Sequence, residues 1–199
     1  MEEQSPKAKE LLTPELLSQC GPLACILHGD CWNNNMLYRH KNSDGEAVAM
    51  RLVDWQILLP GRPGKDVAHF LFTSTKTEMR KQSGHQLISD YVGTLMSALK
   101  KLGFSFDEEG FDRQTFIDEI KQQFLFGLFQ GLLVLPAILD SALVTRMTEK
   151  TNDPSAKNQK PEDVFKDTEG LFTLDTLLEN KELCRRMIDL VEEIQEIIQ

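Results

Sequence analysis

The sequence lacks an apolar amino terminus and an excess of positive charge. Its first residues, MEEQSPKAKE, contain no hydrophobic core of the kind that a secretory signal peptide requires. Lys and Arg total 22 against 31 Asp and Glu, which gives a net charge of −9 at pH 7. Such a charge repels nucleic acid and anionic membrane surfaces, so we expect no nucleic-acid partner.

The sequence also lacks the cysteine spacing that several kinds of site require. The four cysteines form no CxxC pair and no His/Cys cluster with zinc-finger spacing: Cys20, Cys25, Cys31 and Cys184. This usage is ordinary for reduced thiols inside the cell. Together with the missing signal core, it predicts a cytoplasmic protein.

No apolar stretch is long enough to span a bilayer. The most apolar one, FLFGLFQGLLVLPAIL, covers only residues 124–139, whereas a membrane span needs about 20 apolar residues. We therefore predict a buried helix here and no membrane span. The total of 199 residues is enough for one hydrophobic core and small for two domains.

Hydrophobic periodicity predicts a small β region followed by helices, which is an α+β, mainly helical fold. Short strands are expected at 23–27, 36–39 and 47–53, with a hairpin turn at 42–45 and a loop at 59–64. Helices are expected at 6–19, 66–74, 78–102, 112–147 (kinked near Pro136) and 175–198. Residues 148–160 are polar and rich in turn formers, and we expect them to be mobile.

Two short segments carry the residues suited to chemistry. Residues 28–35 read HGDCWNNN and residues 52–56 read LVDWQ. Asp30 follows the first predicted strand, Asn35 precedes the second, and Asp54 follows the third. Because the second and third strands form a hairpin of nearly equal arms, we expect these three side chains to converge at one end of it.

Two carboxylates and an amide oxygen suit phosphoryl transfer from a nucleotide. A hard cation that bridges phosphates prefers oxygen ligands, which Asp54 and Asn35 supply. A second carboxylate, that of Asp30, can then orient or accept the proton of an attacking hydroxyl. A metal-dependent hydrolase is a weaker alternative, since it needs further carboxylate or His ligands that the spacing does not provide.

The order and spacing of four motifs resemble a known family. The chain contains HGDCWNNN, LVDWQ, PGKDV and HFLFTS in that order. This pattern resembles the small-molecule kinases with a protein-kinase-like fold, such as aminoglycoside phosphotransferases and choline kinases. It is most similar to their CHK-kinase-like, or ecdysteroid-kinase-like, branch. The resemblance covers residues 25–75 closely and the helical remainder only loosely.

The resemblance implies a role for each site residue. It makes Asp30 the catalytic residue and Asn35 and Asp54 the magnesium ligands, through which ATP is bound. It gives His28 and Asp66 the task of supporting the catalytic loop, Asp66 by bonding to the loop backbone. ATP and Mg²⁺ are then the implied cofactors, and the substrate is a small molecule with a hydroxyl group.

A whole kinase of this type also needs a lobe that grips the nucleotide. That lobe contains a Gly-rich loop and a strand Lys paired with a helix Glu, and the 27 residues before His28 contain neither. The resemblance therefore implies that residues 1–199 are a partial domain, the carboxyl-terminal lobe only, with the amino-terminal lobe absent. Activity of this chain stays open, and the rival is a catalytically silent interaction module that self-associates through the face left by the missing lobe.

Simpler interpretations remain for individual residues. Asp30 alone could be a turn former, and Asp66 could be only a helix cap. Trp55 is expected to be a core residue beneath the metal loop. Arg62 and Lys65 could contact phosphate, but loop cations are more often solvated at the surface, which is what we expect here. The sequence assigns no role to Gln56 and does not choose between amino-alcohol and steroid-alcohol substrates.

Overall fold

The computed structural model describes residues 20–21, 23–42, 45–106, 110–139, 145 and 180–198. The helix predicted at 6–19, the loop at 148–160 and the start of the helix at 175–198 lie outside this part of the chain. The residues group into two compact units, Met1–Leu128 and Phe129–Gln199. All of the predicted site residues belong to the first.

The first unit begins with four short strands that form two small antiparallel sheets. The strands are β1 (Cys25–Leu27), β2 (Met36–His40), β3 (Ala47–Leu52) and β4 (Leu59–Gly61). β2 pairs with β3 as the predicted hairpin, in a register that places Met36 opposite Leu52. β1 pairs with β4, with Leu27 opposite Leu59. Both sheets therefore have a strand end beside residues 28–35.

The loop predicted at 59–64 is wrong in its first half, which is strand β4. Pro60 and Gly61 are poor strand formers, so the local composition concealed the strand. A proline is tolerated in β4 because a two-stranded sheet leaves one edge of each strand unpaired. A Cβ atom at Gly61 would lie 2.5 Å from the Leu27 side chain, so glycine permits the close approach of β4 to β1.

Helices make up most of the remaining described residues. They are α1 (Gly64–Ser74), α2 (Thr77–Lys101), α3 (Arg113–Gln122), α4 (Phe124–Leu139) and α5 (Lys181–Ile198). The described fold is therefore α+β and mainly helical, as predicted. α2 ends before Gly103, whose φ of +88° is readily adopted only by glycine. No helix in the described ranges is both long enough and apolar enough to cross a membrane.

The single helix predicted from 112 to 147 is wrong, because the chain forms two helices that meet at Gln123. Both helices pack closely against α1: the Glu119 carbonyl lies beside Gly64, and Ala68 lies beside Gly127. Glu119 and Gly127 are eight positions apart in the chain, whereas their partners on α1, Gly64 and Ala68, are only four positions apart. A straight helix would advance about 12 Å over eight residues and about 6 Å over four, so a turn at Gln123 lets both contacts form. The sequence shows no proline or glycine at this point.

α1 is the central element of the first unit. α3 contacts both α1 and α2, and apolar side chains fill the space between these helices. The buried apolar residues of this unit are Leu27, Ala68, Leu71, Phe72, Ile88, Val92, Phe116, Ile120 and Leu128. The helix that starts shortly after β4 is therefore packed on several sides, which matters because it carries Asp66.

The second unit contains the end of α4 and all of α5. Leu135, Leu183 and Leu190 are buried there. Asn180 joins the two helices, since its Nδ2 donates to the Leu139 carbonyl at 2.7 Å and its Oδ1 accepts from the Leu183 N–H at 3.0 Å. Pro136 lies inside α4, three residues before its end.

One titratable group lies in the core of the first unit. His69, on α1, is only 3% exposed, and its Nε2 has no hydrogen-bond partner among the described residues. Burial lowers the pKa of His69 below its ordinary value of 6.5, although the nearby charges of Asp30 and Asp66 act in the opposite direction. The folded protein therefore holds a neutral imidazole that the unfolded chain can protonate.

We predict that Gly127→Ala destabilises the protein by about 1–3 kcal/mol. The new Cβ would lie 2.6 Å from both the Ala68 carbonyl oxygen and the Phe72 ring, so α1 and α4 would have to move apart. Gly84→Ala on α2 is the matched control, because its Cβ meets only an ordinary contact at 3.8 Å. It should stabilise the protein by about 0.5–1 kcal/mol. Urea unfolding of both variants checks this, and equal effects would contradict the close packing.

We also predict that the protein loses stability on acidification below pH 6.5 in part because of His69. A lowered pKa in the folded state means that the unfolded chain binds the proton first, so the free energy of unfolding falls as the pH falls. His69→Asn should flatten this dependence between pH 7.5 and 5.5, with the exposed His85→Gln as the control. Thermal unfolding at several pH values measures it, and parallel curves for wild type and His69→Asn would contradict the argument.

Candidate active site

One carboxylate binds the backbone of the loop that follows β1. Asp66, in the first turn of α1, accepts the backbone N–H of His28 at 2.7 Å and that of Gly29 at 3.1 Å. Gly29 has a φ of +82°, and a Cβ there would lie 2.2 Å from the Ile57 carbonyl oxygen. The loop can therefore pass close to the turn at Trp55–Ile57 only with glycine at this position.

His28 connects this loop to the segment that carries Asp54. Its Nε2 donates to the Val53 carbonyl at 2.8 Å, and its Nδ1 accepts the Asp30 N–H at 3.3 Å. A carbonyl can only accept and an N–H can only donate, so this pair of bonds specifies the neutral Nε2–H tautomer. The Trp55 ring packs on the imidazole with a centroid distance of 4.6 Å. His28 is buried, and each of its ring nitrogens already has a hydrogen bond to the backbone, so its contacts are structural.

Asp30 and Asn35 are in direct contact. Asn35 Nδ2 donates to Asp30 Oδ2 at 2.8 Å and to the Asp30 carbonyl at 2.9 Å. The indole Nε1 of Trp32 donates to the same Oδ2 at 3.1 Å. These bonds fix the orientation of the Asn35 amide, because its nitrogen must face Asp30. Asn35 Oδ1 and Asp30 Oδ1 have no hydrogen bond to any described residue.

The backbone brings Asp54 to the same end of the hairpin. The Val53 N–H donates to the Asn35 carbonyl at 3.0 Å, and Val53 also bonds to His28, so the next residue starts beside the loop. Asp54 has φ 66° and ψ 56°, and it is the only residue other than glycine with a positive φ among those described. Its side chain is exposed. A left-handed residue at a strand end is typical of functional sites, where the surrounding contacts hold it in place.

The free oxygens of Asn35 and Asp54 suit a magnesium ion. Mg²⁺ takes oxygen ligands, usually one or two from protein carboxylates or amides, with water and phosphate oxygens completing the set. Among the described residues, no group of three or more His, Cys, Asp or Glu could hold a metal ion. Asn35 and Asp54 could therefore supply two of the ligands of such an ion.

The Cys31 thiol supplies neither a nucleophile nor a metal ligand to the loop. Burial, with further contributions from the charges of Asp66 and Asp30, raises the pKa of its thiol to about 12. The thiol is therefore neutral at physiological pH, and a neutral thiol is neither a good nucleophile nor a good metal ligand.

The two cations predicted to be solvated are instead in contact with the protein. Arg62 forms an ion pair with the buried Glu119 and donates to Gln122 Oε1 at 2.8 Å. Lys65 Nζ lies 5.4 Å from the centre of the Phe126 ring. Trp55, which was expected to be a core residue, is 46% exposed although it packs on His28. Gln56 is exposed and gains no role from the geometry.

Two contacts to the loop had no assigned role in the sequence. Trp32 donates to Asp30, and Ser74 Oγ, at the end of α1, accepts the Asn33 N–H at 2.9 Å. Trp32 lies within the HGDCWNNN motif and Ser74 within HFLFTS. Their positions within these motifs were the only sign in the sequence that Trp32 and Ser74 belong to the site. Which donor bonds to which acceptor depends on the folded loop.

Comparison with known proteins identifies a family for the chain. No curated protein and no solved structure matches the chain. The sequence profile of the ecdysteroid kinase-like family matches residues 1–104, which include β1 to β4, α1, α2 and every residue of the candidate site. Since that match spans more than half of the chain, the protein belongs to the ecdysteroid kinase-like family.

Proposed function

We propose that the protein is an ATP-dependent phosphotransferase that acts on the hydroxyl group of a small molecule. One observation carries the proposal: the Asn35 amide donates to the Asp30 carboxylate, so its oxygen faces away from Asp30, and the backbone bond from Val53 to Asn35 brings the residue before Asp54 beside this pair. The family supports a kinase-like activity. A substrate of amino-alcohol or steroid-alcohol class fits the proposal equally.

The residues have separate tasks in this reaction. Asp30 Oδ1, which has no partner among the described residues, accepts the proton of the substrate hydroxyl as its oxygen bonds to the γ-phosphorus. The bond from phosphorus to the ADP oxygen breaks, so ADP leaves with the electron pair. Asn35 Oδ1 and the Asp54 carboxylate would hold magnesium, which would neutralise charge on the phosphate oxygens.

His28 and Asp66 act by positioning. Asp66 fixes the backbone before Asp30, and His28 fixes the distance between that backbone and Val53. Orientation of this kind contributes much of the rate in phosphoryl transfer, because the protein supplies little covalent chemistry. We further propose that residues 25–75 correspond to the catalytic and metal loops of the carboxyl-terminal lobe of a protein-kinase-like fold. ATP as cosubstrate agrees with the expected cytoplasmic location.

We predict that Asp54→Asn lowers the affinity for Mg-ATP about tenfold or more, since the only charged metal ligand is lost. Asparagine tolerates the left-handed conformation of this position, which alanine does not, so the variant tests the charge without straining the backbone. Isothermal titration calorimetry with ATP, with and without magnesium, measures the effect.

Asp90→Asn is the matched control for this experiment. Asp90 is exposed on α2 and accepts a bond from Gln86 at 2.8 Å, so its loss removes the same charge away from the site. Its Mg-ATP affinity should equal that of wild type. Equal affinities for the Asp54→Asn variant and wild type would show that Asp54 is not a ligand.

A second candidate function is an interaction module, and the hairpin favours it. Tyr38 and Met50 lie opposite each other on one face of β2–β3, with Val48 beside them. Their exposed fractions are 44%, 49% and 51%, which is high for an apolar group of this size. We propose that this face, defined by Tyr38, Val48 and Met50, mediates self-association of the chain.

We predict that Val48→Lys reduces this self-association, because a charge in a dehydrated contact is costly. Ala49→Lys is the control, since it adds the same charge to the next residue of β3, whose side chain points to the opposite face. Multi-angle light scattering over a range of concentrations compares them. A wild-type chain that remains monomeric at all concentrations would contradict this second function.

A further inference from the structure

We propose that Trp32 is a positioning residue that holds the carboxylate of Asp30 for catalysis. Its indole N–H, together with the Asn35 amide, occupies one carboxylate oxygen and so leaves the other for the proton of the substrate. This inference rests on the proposed phosphotransferase function and adds a residue to its catalytic site.

The geometry places both donors on the same oxygen. Trp32 Nε1 lies 3.1 Å from Asp30 Oδ2, and Asn35 Nδ2 lies 2.8 Å from it. Rotation of the carboxylate plane away from this orientation would break both bonds. Hydrogen bonds to an ionised group are roughly twice as strong as those between neutral groups, so the pair holds Asp30 in one orientation.

The backbone of the loop delivers the indole to this position. The Trp32 N–H donates to the Asp30 carbonyl at 3.1 Å, and the Trp32 carbonyl accepts the Asn35 N–H at 3.0 Å. Both ends of the Trp32 peptide are thus tied to the two residues whose side chains meet at Oδ2. The chain reverses over these few residues, which turns the ring back towards the carboxylate.

The hydrogen-bonding properties of an indole suit it to this task. It donates one hydrogen bond and accepts none, and it does not titrate in the physiological range. It therefore orients Asp30 without competing for the proton that the substrate loses and without changing the charge of the site. Asn35 has a second task as a metal ligand in our proposal, whereas the N–H of Trp32 serves Asp30 alone among the described residues.

The bond can be observed directly, because the chain contains only two tryptophans. A ¹H–¹⁵N correlation spectrum should show two indole N–H signals, and Trp55→Phe identifies them by removing one. Trp55 Nε1 donates to the Leu52 carbonyl at 3.2 Å, so it reports on an indole bound to a neutral acceptor. Asp30→Asn should move the Trp32 signal upfield, since the charged acceptor becomes neutral, and should leave the Trp55 signal nearly in place.

The role in catalysis is tested by a pair of substitutions in the full chain. Trp32→Phe keeps a ring but removes the donor, and it should lower kcat for phosphate transfer about tenfold with little change in KM. Trp32→His keeps a ring N–H and should recover part of the loss. A merely structural role would instead give equal kcat values for the Phe and His variants.

The outcomes separate this inference from the function on which it rests. A Trp32 signal that does not respond to Asp30→Asn would overturn the bond, and an unchanged kcat in Trp32→Phe would overturn the positioning role. A wild-type chain that transfers no phosphate would contradict the proposed function. In that case the indole spectrum would still decide whether Trp32 holds the Asp30 carboxylate.

Discussion

The candidate site depends on the Asp66 carboxylate and the two backbone N–H groups that it accepts. Asp66 lies in the first turn of α1, where the helix dipole favours a negative charge. Its bonds to His28 and Gly29 attach the loop to α1, the central helix of the first unit. The His28 imidazole and the Asp30 carboxylate both follow directly from the loop backbone that Asp66 holds.

His28 extends this constraint from the proposed proton acceptor, Asp30, to the proposed metal ligand, Asp54. One imidazole nitrogen bonds to the backbone of Asp30, and the other bonds to Val53, directly before Asp54. The loop and the end of β3 are therefore held at one separation by a single neutral ring. Protonation of that ring would cost the Asp30 N–H its acceptor, so the neutral tautomer is part of the structure. Phosphoryl transfer benefits from such fixed spacing because it relies on positioning.

The sequence predicted the contents of the site better than its geometry. Asp30, Asn35, Asp54 and Asp66 are recognisable because motif order and strand length are local properties of the chain. The left-handed conformation of Asp54 cannot be recognised from the sequence, because aspartate seldom adopts it and the surrounding fold imposes it. Strand β4 was missed because Pro60 and Gly61 are typical of loops, whereas the strand forms by pairing with β1. The break at Gln123 likewise depends on contacts with α1 that no local pattern encodes.

The Asn35 side chain couples the two halves of the proposed chemistry. Its Nδ2 donates to Asp30 Oδ2 while its Oδ1 is free for a cation. Positive charge at the oxygen of an amide withdraws electrons from its nitrogen, and the N–H then donates more strongly. Under the proposed function, a cation at Asn35 Oδ1 would therefore strengthen the bond from Asn35 to the Asp30 carboxylate. Trp32 donates to the same oxygen and so supports the same orientation of that carboxylate.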